Sequence, residues 1–176
     1  MVMQILLHTP RWVFVLFLVL TVIGVSQLAA RRVTLRRITV LPLAMLGWSF
    51  YGVMSAFSAQ PLALFAWALG GAIAAAGVLA RPLPAGTAYD AAARSFVLAG
   101  SAVPLVLLMG LFFTKYAVGV TLALAPQFAQ HAPFALAVGA LYGLLSGAFL
   151  GRALRLWRLA RGPAVAIVGL RAAGRA

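Results

Sequence analysis

The chain has 176 residues, of which 65% are hydrophobic and only 9% are charged. A soluble domain of this length needs far more charge on its surface, so the composition excludes an ordinary globular protein. The formal charge is +13, with 14 lysines and arginines against one acid, Asp90. The arginines lie in short segments between apolar runs, as topology signals do, and the chain lacks a soluble domain that could read bases, so we expect no nucleic-acid partner.

Long apolar runs in the sequence predict membrane helices, because about 20 helical residues cross the ~30 Å of hydrocarbon in a bilayer. Five spans follow one another at about 11–28, 39–57, 61–80, 101–124 and 133–151, the last extended as a basic helix to 161. Arginines follow the first run rather than precede it, so we interpret it as a retained helix and not as a signal peptide. The predicted fold class is all-α, a polytopic membrane helix bundle in one domain, with residues 162–176 as a short basic tail.

The basic residues are distributed very unevenly between the two sides of this bundle. Twelve of the 14 fall on one side, Arg11 falls on the other, and Lys115 lies inside the fourth span. Because positively charged loops stay in the cytoplasm, the N-terminus is predicted outside and the C-terminus inside, in a bacterial inner membrane. The arginines expected to contact anionic lipid head groups are Arg31, Arg32, Arg36, Arg37, Arg152, Arg155 and Arg158.

The longest loop, residues 81–96, lies on the arginine-rich side between the third and fourth spans. Pro and Gly at its start exclude a continuous helix. Asp90 and Arg94 flank three alanines, and the Asp90 side chain can seed a turn there or pair with Arg94. We predict a short cytoplasmic β-hairpin in this loop.

The fifth span carries a glycine at every fourth residue, which places the glycines on one narrow stripe of the helix. The stripe consists of Gly139, Gly143, Gly147 and Gly151. Another helix can approach such a stripe closely, and the third span offers a side of small residues that includes Gly70, Ala74 and Gly77. Either these stripes pack the chain's own bundle, or the glycine stripe forms the seam of a homodimer.

Lys115, the only lysine, lies near the middle of the fourth span. If that span begins at Pro104, Lys115 is roughly 16 Å from its inner end and about 13 Å from its outer end. A charged lysine there costs about 2.5 kcal/mol or more on insertion scales. Three explanations for the missing counter-charge remain open. The amine is neutral or solvated by hydroxyls and water, a partner protein supplies the acid, or an anionic solute or lipid is the counter-ion.

The surroundings of Lys115 suggest which residues could line a site. Gly119, one turn further along, leaves a gap that could admit a partner helix, water or a ligand. Candidate lining and partner residues with hydroxyl or indole groups are Thr114, Trp48, Tyr51, Ser55, Tyr142 and Ser146. The leading hypothesis is binding or permeation of a small anionic solute at Lys115. The alternative is a non-catalytic assembly subunit of a membrane complex, which packs through the glycine stripe and Lys115.

Sequence features of catalytic or metal sites are missing. The chain has no cysteine, and its two histidines, His8 and His131, have no carboxylate or thiolate nearby in sequence. There are no paired carboxylates, no Ser-His-Asp set and no phosphate-binding loop. We therefore expect no enzyme activity, no metal and no cofactor.

Several segments together carry a family resemblance. These are LLHTPRWVF, RRV with LPLAML, the YD…F…GS…PL segment, FFTKYAVGV and ALYGLLSGAFLGR. They resemble a family of small, uncharacterised proteobacterial inner-membrane proteins over most of residues 1–161, and the chain is more distantly similar to CcdC-like membrane proteins. The resemblance implies a membrane bundle and brings no activity or site residue with it.

Overall fold

The structure is a computed structural model that describes residues 10–84, 86–90 and 93–161. These residues form five α-helices and three short strands. In chain order they are α1 (Arg11–Val25), β1 (Arg31–Thr34), α2 (Leu35–Ala56), α3 (Pro61–Leu79), β2 (Ala88–Asp90), β3 (Ser95–Leu98), α4 (Val103–Leu124) and α5 (Ala132–Arg161). A 3-10 helix, Pro126–Gln130, joins α4 to α5. The predicted basic tail, residues 162–176, lies outside the described residues.

Four helices, α2 to α5, are long and apolar enough to cross a membrane, so the chain is a multi-pass membrane protein. α1 is apolar but has only 15 residues, because the chain turns at residues 26–28. Backbone hydrogen bonds between residues three apart, such as Gln27 N–H to Gly24 O, hold this turn. A helix of that length extends about 22 Å, less than the ~30 Å of a full crossing. The helix thus ends three residues before the predicted end of the first span, at about residue 28.

The second span also differs from its prediction at its start. α2 begins at Leu35 rather than near residue 39, so Arg36 and Arg37 belong to its first turn. Pro42 consequently lies inside the helix, where it has no backbone N–H to donate to the carbonyl of Ile38. Arginine is a good helix former, so the helix begins within the basic stretch that precedes the apolar run.

The three strands form one antiparallel sheet in the order β1-β3-β2. Strands β2 and β3 occupy the loop where a hairpin is predicted, and Ala88 pairs with Val97. The Asp90 carboxylate accepts a hydrogen bond from the Ala93 backbone N–H (3.1 Å), as expected for a residue that seeds the turn. The addition of β1 on the other side of β3 is not predicted by the sequence, because its pairing with β3 spans more than 60 residues of chain.

The sheet lies at one end of the helix bundle, which we call the sheet end. Phe96 is fully buried there and packs with Val33, Ile38 and Ala153. Trp157 of α5 donates its indole N–H to the Thr39 hydroxyl (2.9 Å) and so ties α5 to the first turns of α2. The α2–α3 and α4–α5 connections lie at the opposite end, where the Gln60 side chain donates to the Gln130 carbonyl (3.0 Å).

The closest helix pair is α3 and α5, and the glycine stripe forms their contact. A Cβ added to Gly139, Gly143 or Gly147 would overlap the backbone carbonyls of Ala63, Trp67 and Gly71 respectively. At Gly151 the added atom would come within 2.9 Å of the Ala75 carbonyl oxygen. The stripe is thus occupied within the chain.

The partner surface on α3 is only partly the one that the sequence predicts. Gly70 is buried, and a Cβ there would lie 2.6 Å from the Ala140 carbonyl oxygen. Ala74 is half-buried beside this contact. Gly77, by contrast, has nothing within 4 Å of an added Cβ. The prediction that Gly77 shares the packed side is wrong, because the contact moves to Ala75 as the two helices cross.

Candidate functional site

The site centres on Lys115, which α4 presents to α2 and α5. Its ammonium donates a hydrogen bond to the backbone carbonyl of Trp48 (Nζ–O 3.3 Å). The same nitrogen lies 4.8 Å from the ring centroid of Tyr142 and 5.9 Å from that of Trp48. Both rings are within cation–π range. All of these partners are neutral.

Gly52 makes room for the ammonium. It lies one turn after Trp48 on α2, and a Cβ at this position would collide with the Lys115 Nζ. Gly52 is the residue that reasoning from the sequence misses. The available signal was its spacing of four from Trp48, which puts both residues on the same side of α2.

Polar atoms behind the ammonium hold Tyr142 in position. The Tyr142 carbonyl accepts hydrogen bonds from Ser146 (2.6 Å) and from Ser49 of α2 (3.3 Å). Ser49 in turn accepts from the Trp67 indole of α3 (3.0 Å). Both serines are fully buried, so this network joins α2, α3 and α5 on one side of Lys115.

A cavity of about 710 Å³ lies on the other side of Lys115, between α1, α2 and α4. Its wall includes Met45 and Trp48 of α2, Leu111, Phe112 and Gly119 of α4, and residues of α1 such as Leu16, and the cavity is partly open to the outside of the bundle. Lys115 is the one charged side chain among the described residues that line it. The cavity therefore combines a large apolar volume with a single cationic group.

The predicted candidates divide into two groups. Tyr142 and Trp48 contact the ammonium, and Gly119 lines the cavity with nothing within 4 Å of an added Cβ, as the predicted gap requires. Tyr51 is 68% exposed on another side of α2, and the exposed Ser55 bonds the Gly52 carbonyl of its own helix. Neither lines the cavity. Thr114 likewise bonds the Gly110 carbonyl within α4.

The favourable contacts of the Lys115 ammonium and the cost of inserting its charge in a membrane are similar in energy. Each cation–π contact contributes about 0.5–2 kcal/mol, and a charged lysine at the centre of a membrane helix costs about 2.5–3.5 kcal/mol on insertion scales. Two rings and one carbonyl therefore offset much of the cost of the charge. The positive charge still has no counter-charge, since neutral dipoles solvate an ammonium without neutralising it.

The predicted lipid-contacting arginines lie at the sheet end in two environments. Arg32, Arg36, Arg37 and Arg158 are exposed, whereas Arg31, Arg152 and Arg155 are half-buried. Arg155 donates through Nη1 to the carbonyls of Arg81 (3.1 Å) and Pro82 (2.9 Å), just after the end of α3. Burial, together with the neighbouring Arg37, lowers the pKa of Arg31.

No metal-binding cluster of His, Cys, Asp or Glu occurs within the part of the chain that the structure describes.

Comparison with known proteins identifies a family but no individual relative. No curated protein and no solved structure matches the chain. The distant similarity to CcdC-like membrane proteins therefore stays a prediction. The matching family is described only as a family of unknown function, and its match extends over nearly the whole chain, including every helix described above. The chain belongs to that Family of unknown function (DUF6622), matched over residues 1–167.

Proposed function

We propose that this membrane protein binds a small organic anion in the cavity between α1, α2 and α4, with the Lys115 ammonium as its charge partner. The observation that carries the proposal is a cavity of about 710 Å³ whose described lining holds one charged group, Lys115. Small-molecule sites have volumes of about 300–1,000 Å³, mostly apolar walls and a few placed polar groups.

The negative charge of the proposed ligand follows from the near absence of acidic residues in the chain. Asp90 is the only acid of the chain, and its carboxylate is engaged at the turn between β2 and β3. Lys115 therefore has no carboxylate within the bundle, and an anion that enters the cavity meets an uncompensated positive charge in an apolar surrounding, where charge–charge attraction is strong.

The body of the ligand follows from the lining. Beyond Lys115, the wall consists of aliphatic, aromatic, glycine and proline residues. A hydrated inorganic anion would exchange its water for few donors there, whereas an anion with an apolar tail would bury the tail against this wall. We therefore favour an amphipathic carboxylate over a small inorganic ion. The proposal extends to permeation, in which the bound carboxylate also crosses the membrane.

We further propose that the protein lies in a bacterial inner membrane with the sheet end in the cytoplasm, the N-terminus outside and α1 as a fifth crossing. The arginine bias supports this orientation, because ten of the eleven arginines within the described residues fall on the sheet-end side and Arg11 alone falls on the other. α1 lies alongside α4, with the rings of Phe17 and Phe112 5.3 Å apart. In this orientation the exposed arginines at this end would meet anionic lipid head groups.

The test compares a long-chain carboxylate with the alcohol of equal length, each titrated against the purified protein in neutral detergent. The wild type is expected to bind the carboxylate at least tenfold more tightly, and Lys115→Met is expected to abolish that preference. Tyr51→Phe, a change outside the cavity, serves as the control. Equal affinity for both ligands in the wild type would contradict the proposal. Carboxylate flux into liposomes, measured with the same variants, separates binding from permeation.

The second candidate is a non-catalytic assembly subunit, in which a partner helix that carries a carboxylate fills the same cavity. The glycine stripe lends it little support, because α3 already occupies that stripe. The observation that supports this candidate is that Lys115 lies on an open cavity. Loss of a co-purifying partner in Lys115→Met, together with unchanged carboxylate binding, would favour assembly over ligand binding.

A further inference from the structure

Three arginines surround a second, smaller cavity at the sheet end. Arg31 of β1 and Arg152 and Arg155 of α5 all line a space of about 40 Å³. A single water needs about 10–15 Å³ on this measure, so the space exceeds that needed for one water. Thr87, Ser101 and Gln27 add neutral polar groups to its lining.

The three guanidinium groups come together without any acid. Arg31 is fixed by a hydrogen bond from Nη2 to the Gln27 side-chain oxygen (2.6 Å), and Gln27 itself is buried. Asp90, the only acid in the chain, lies at the end of β2 that pairs with Ser95, whereas the cavity is lined by Leu98 and Ala99 beyond the other end. Like charges so arranged repel each other, and an anion between them reverses the sign of the interaction.

Arg155 supplies an independent indication. Its Nη1 is anchored by carbonyls at the end of α3, including that of Pro82 (2.9 Å). Among the described side chains, its Nε is buried and has no hydrogen-bond partner. A buried charged donor that stays unpaired is costly, so a negative charge beside this guanidinium would stabilise it.

We propose that Arg31, Arg152 and Arg155 form a binding site for a phosphate group at the sheet end of the bundle. Guanidinium groups match the oxygens of phosphate geometrically, and several of them together suit a group with more than one negative oxygen. This site is separate from the Lys115 cavity, and neither proposal depends on the other. The phosphate belongs to an anionic phospholipid or to a soluble phosphate.

Two arms of one experiment distinguish these sources. In the first, the melting temperature of the full chain in neutral maltoside detergent is measured in sodium phosphate and in chloride of equal ionic strength. In the second, the protein is reconstituted with phosphatidylglycerol or with phosphatidylcholine, and the lipids retained after extraction are counted by native mass spectrometry. A selective effect of phosphate points to a soluble ligand, and selective retention of phosphatidylglycerol points to a lipid.

Matched variants decide whether the cluster is the site. Arg152→Gln is compared with Arg158→Gln, an exposed arginine on the same helix, and Arg31→Gln with Arg32→Gln, its exposed neighbour on β1. In the responsive arm, we expect each cluster variant to weaken binding at least tenfold and each control to weaken it less than twofold. Equal losses in cluster and control variants would reduce the effect to general surface charge and overturn the site, as would the lack of a response in both arms.

A further measurement guards against simple misfolding of the variants. Without phosphate or anionic lipid, Arg152→Gln removes one of three mutually repelling charges, so its melting temperature is expected to equal or exceed that of the wild type. With the ligand present, the order should reverse. A melting temperature of Arg152→Gln below that of the wild type under both conditions would assign the arginine a structural role and contradict the proposal.

Discussion

At the scale of single residues, the environment of Lys115 shows how a charge is accommodated in an apolar bundle. The ammonium lies where Gly52 leaves space, against the ring of Tyr142 (4.8 Å) and the carbonyl of Trp48 (3.3 Å). These partners solvate the charge from one side. The other side opens to the apolar cavity, and this asymmetry is the physical basis of the proposed ligand site.

Gly119 allows a test of that cavity that leaves Lys115 unchanged. Gly119→Leu should fill part of the cavity and weaken carboxylate binding at least tenfold. No atom lies within 4 Å of a Cβ at Gly119, so the new side chain enters free space. Stability should not fall, because leucine is favoured over glycine in a helix by roughly 0.5–1 kcal/mol. Titration and a denaturation curve measure the two effects.

The control for this prediction is Gly47→Leu. Gly47 is exposed on α2, also has nothing within 4 Å of an added Cβ, and does not line the cavity. Its substitution should leave carboxylate binding unchanged. If Gly119→Leu binds the carboxylate as tightly as the wild type, the ligand does not occupy this cavity.

At the scale of elements, the contact between α3 and α5 organises the bundle. Glycines spaced by four let the two backbones meet, so carbonyls of α3 lie directly over the stripe on α5. Close backbone approach is a main source of helix association in membranes, because lipid tails are as apolar as the side chains that they would replace.

Gly147→Ala is therefore expected to destabilise the protein by about 1–3 kcal/mol, the usual cost of overpacking a tight contact. Its added Cβ would overlap the Gly71 carbonyl, which belongs to the backbone and cannot move aside cheaply. Reversible unfolding in mixed micelles measures the effect.

Gly77→Ala on α3 is the matched control, since nothing lies within 4 Å of its new Cβ. It should be neutral, or stabilising by up to about 1 kcal/mol through helix propensity. Equal effects of the two substitutions would mean that the helices do not meet along the stripe. A dimer that dissociates in Gly147→Ala while the monomer fold persists would instead favour the homodimer seam.

At the scale of the whole molecule, the two ends of the bundle differ. The sheet end holds the three-stranded sheet and the arginine-lined cavity. α1 is shorter than the other four helices, with 15 residues. Its crossing is therefore the weakest element of the proposed topology.

Single cysteines can test that topology, because the chain contains none of its own. Ser58→Cys and Arg11→Cys should react with a membrane-impermeant maleimide on intact spheroplasts, whereas Ala93→Cys should react only after lysis. Ser58 lies in the α2–α3 connection, Arg11 at the start of α1 and Ala93 at the sheet end, and all three are exposed.

Two outcomes would contradict parts of this prediction separately. Labelling of Ala93→Cys on intact cells, with Ser58→Cys protected, would reverse the whole orientation. Protection of Arg11→Cys alone would mean that α1 does not cross the membrane, and the chain would then have four crossings.

The positions of the long helices follow from local properties of the chain. Hydrophobic length identifies α2 to α5, and prolines near their starts help to place several of them. The turn at Asp90 follows from side-chain chemistry within three residues. The importance of Lys115 follows from its charge alone, because an ionisable residue in a membrane span is expensive wherever it faces.

Contacts between distant segments decide the remainder. The pairing of β1 with β3, the choice of Gly52 over Tyr51 and Ser55 as the neighbour of Lys115, and the meeting of Arg31 with Arg152 and Arg155 all join residues far apart in the chain. Helical periodicity defines the sides of each helix, but the rotation of one helix against another depends on how both surfaces pack. For that reason the sequence predicts the parts of this bundle and the charge at its centre, whereas the two cavities arise only when the helices are assembled.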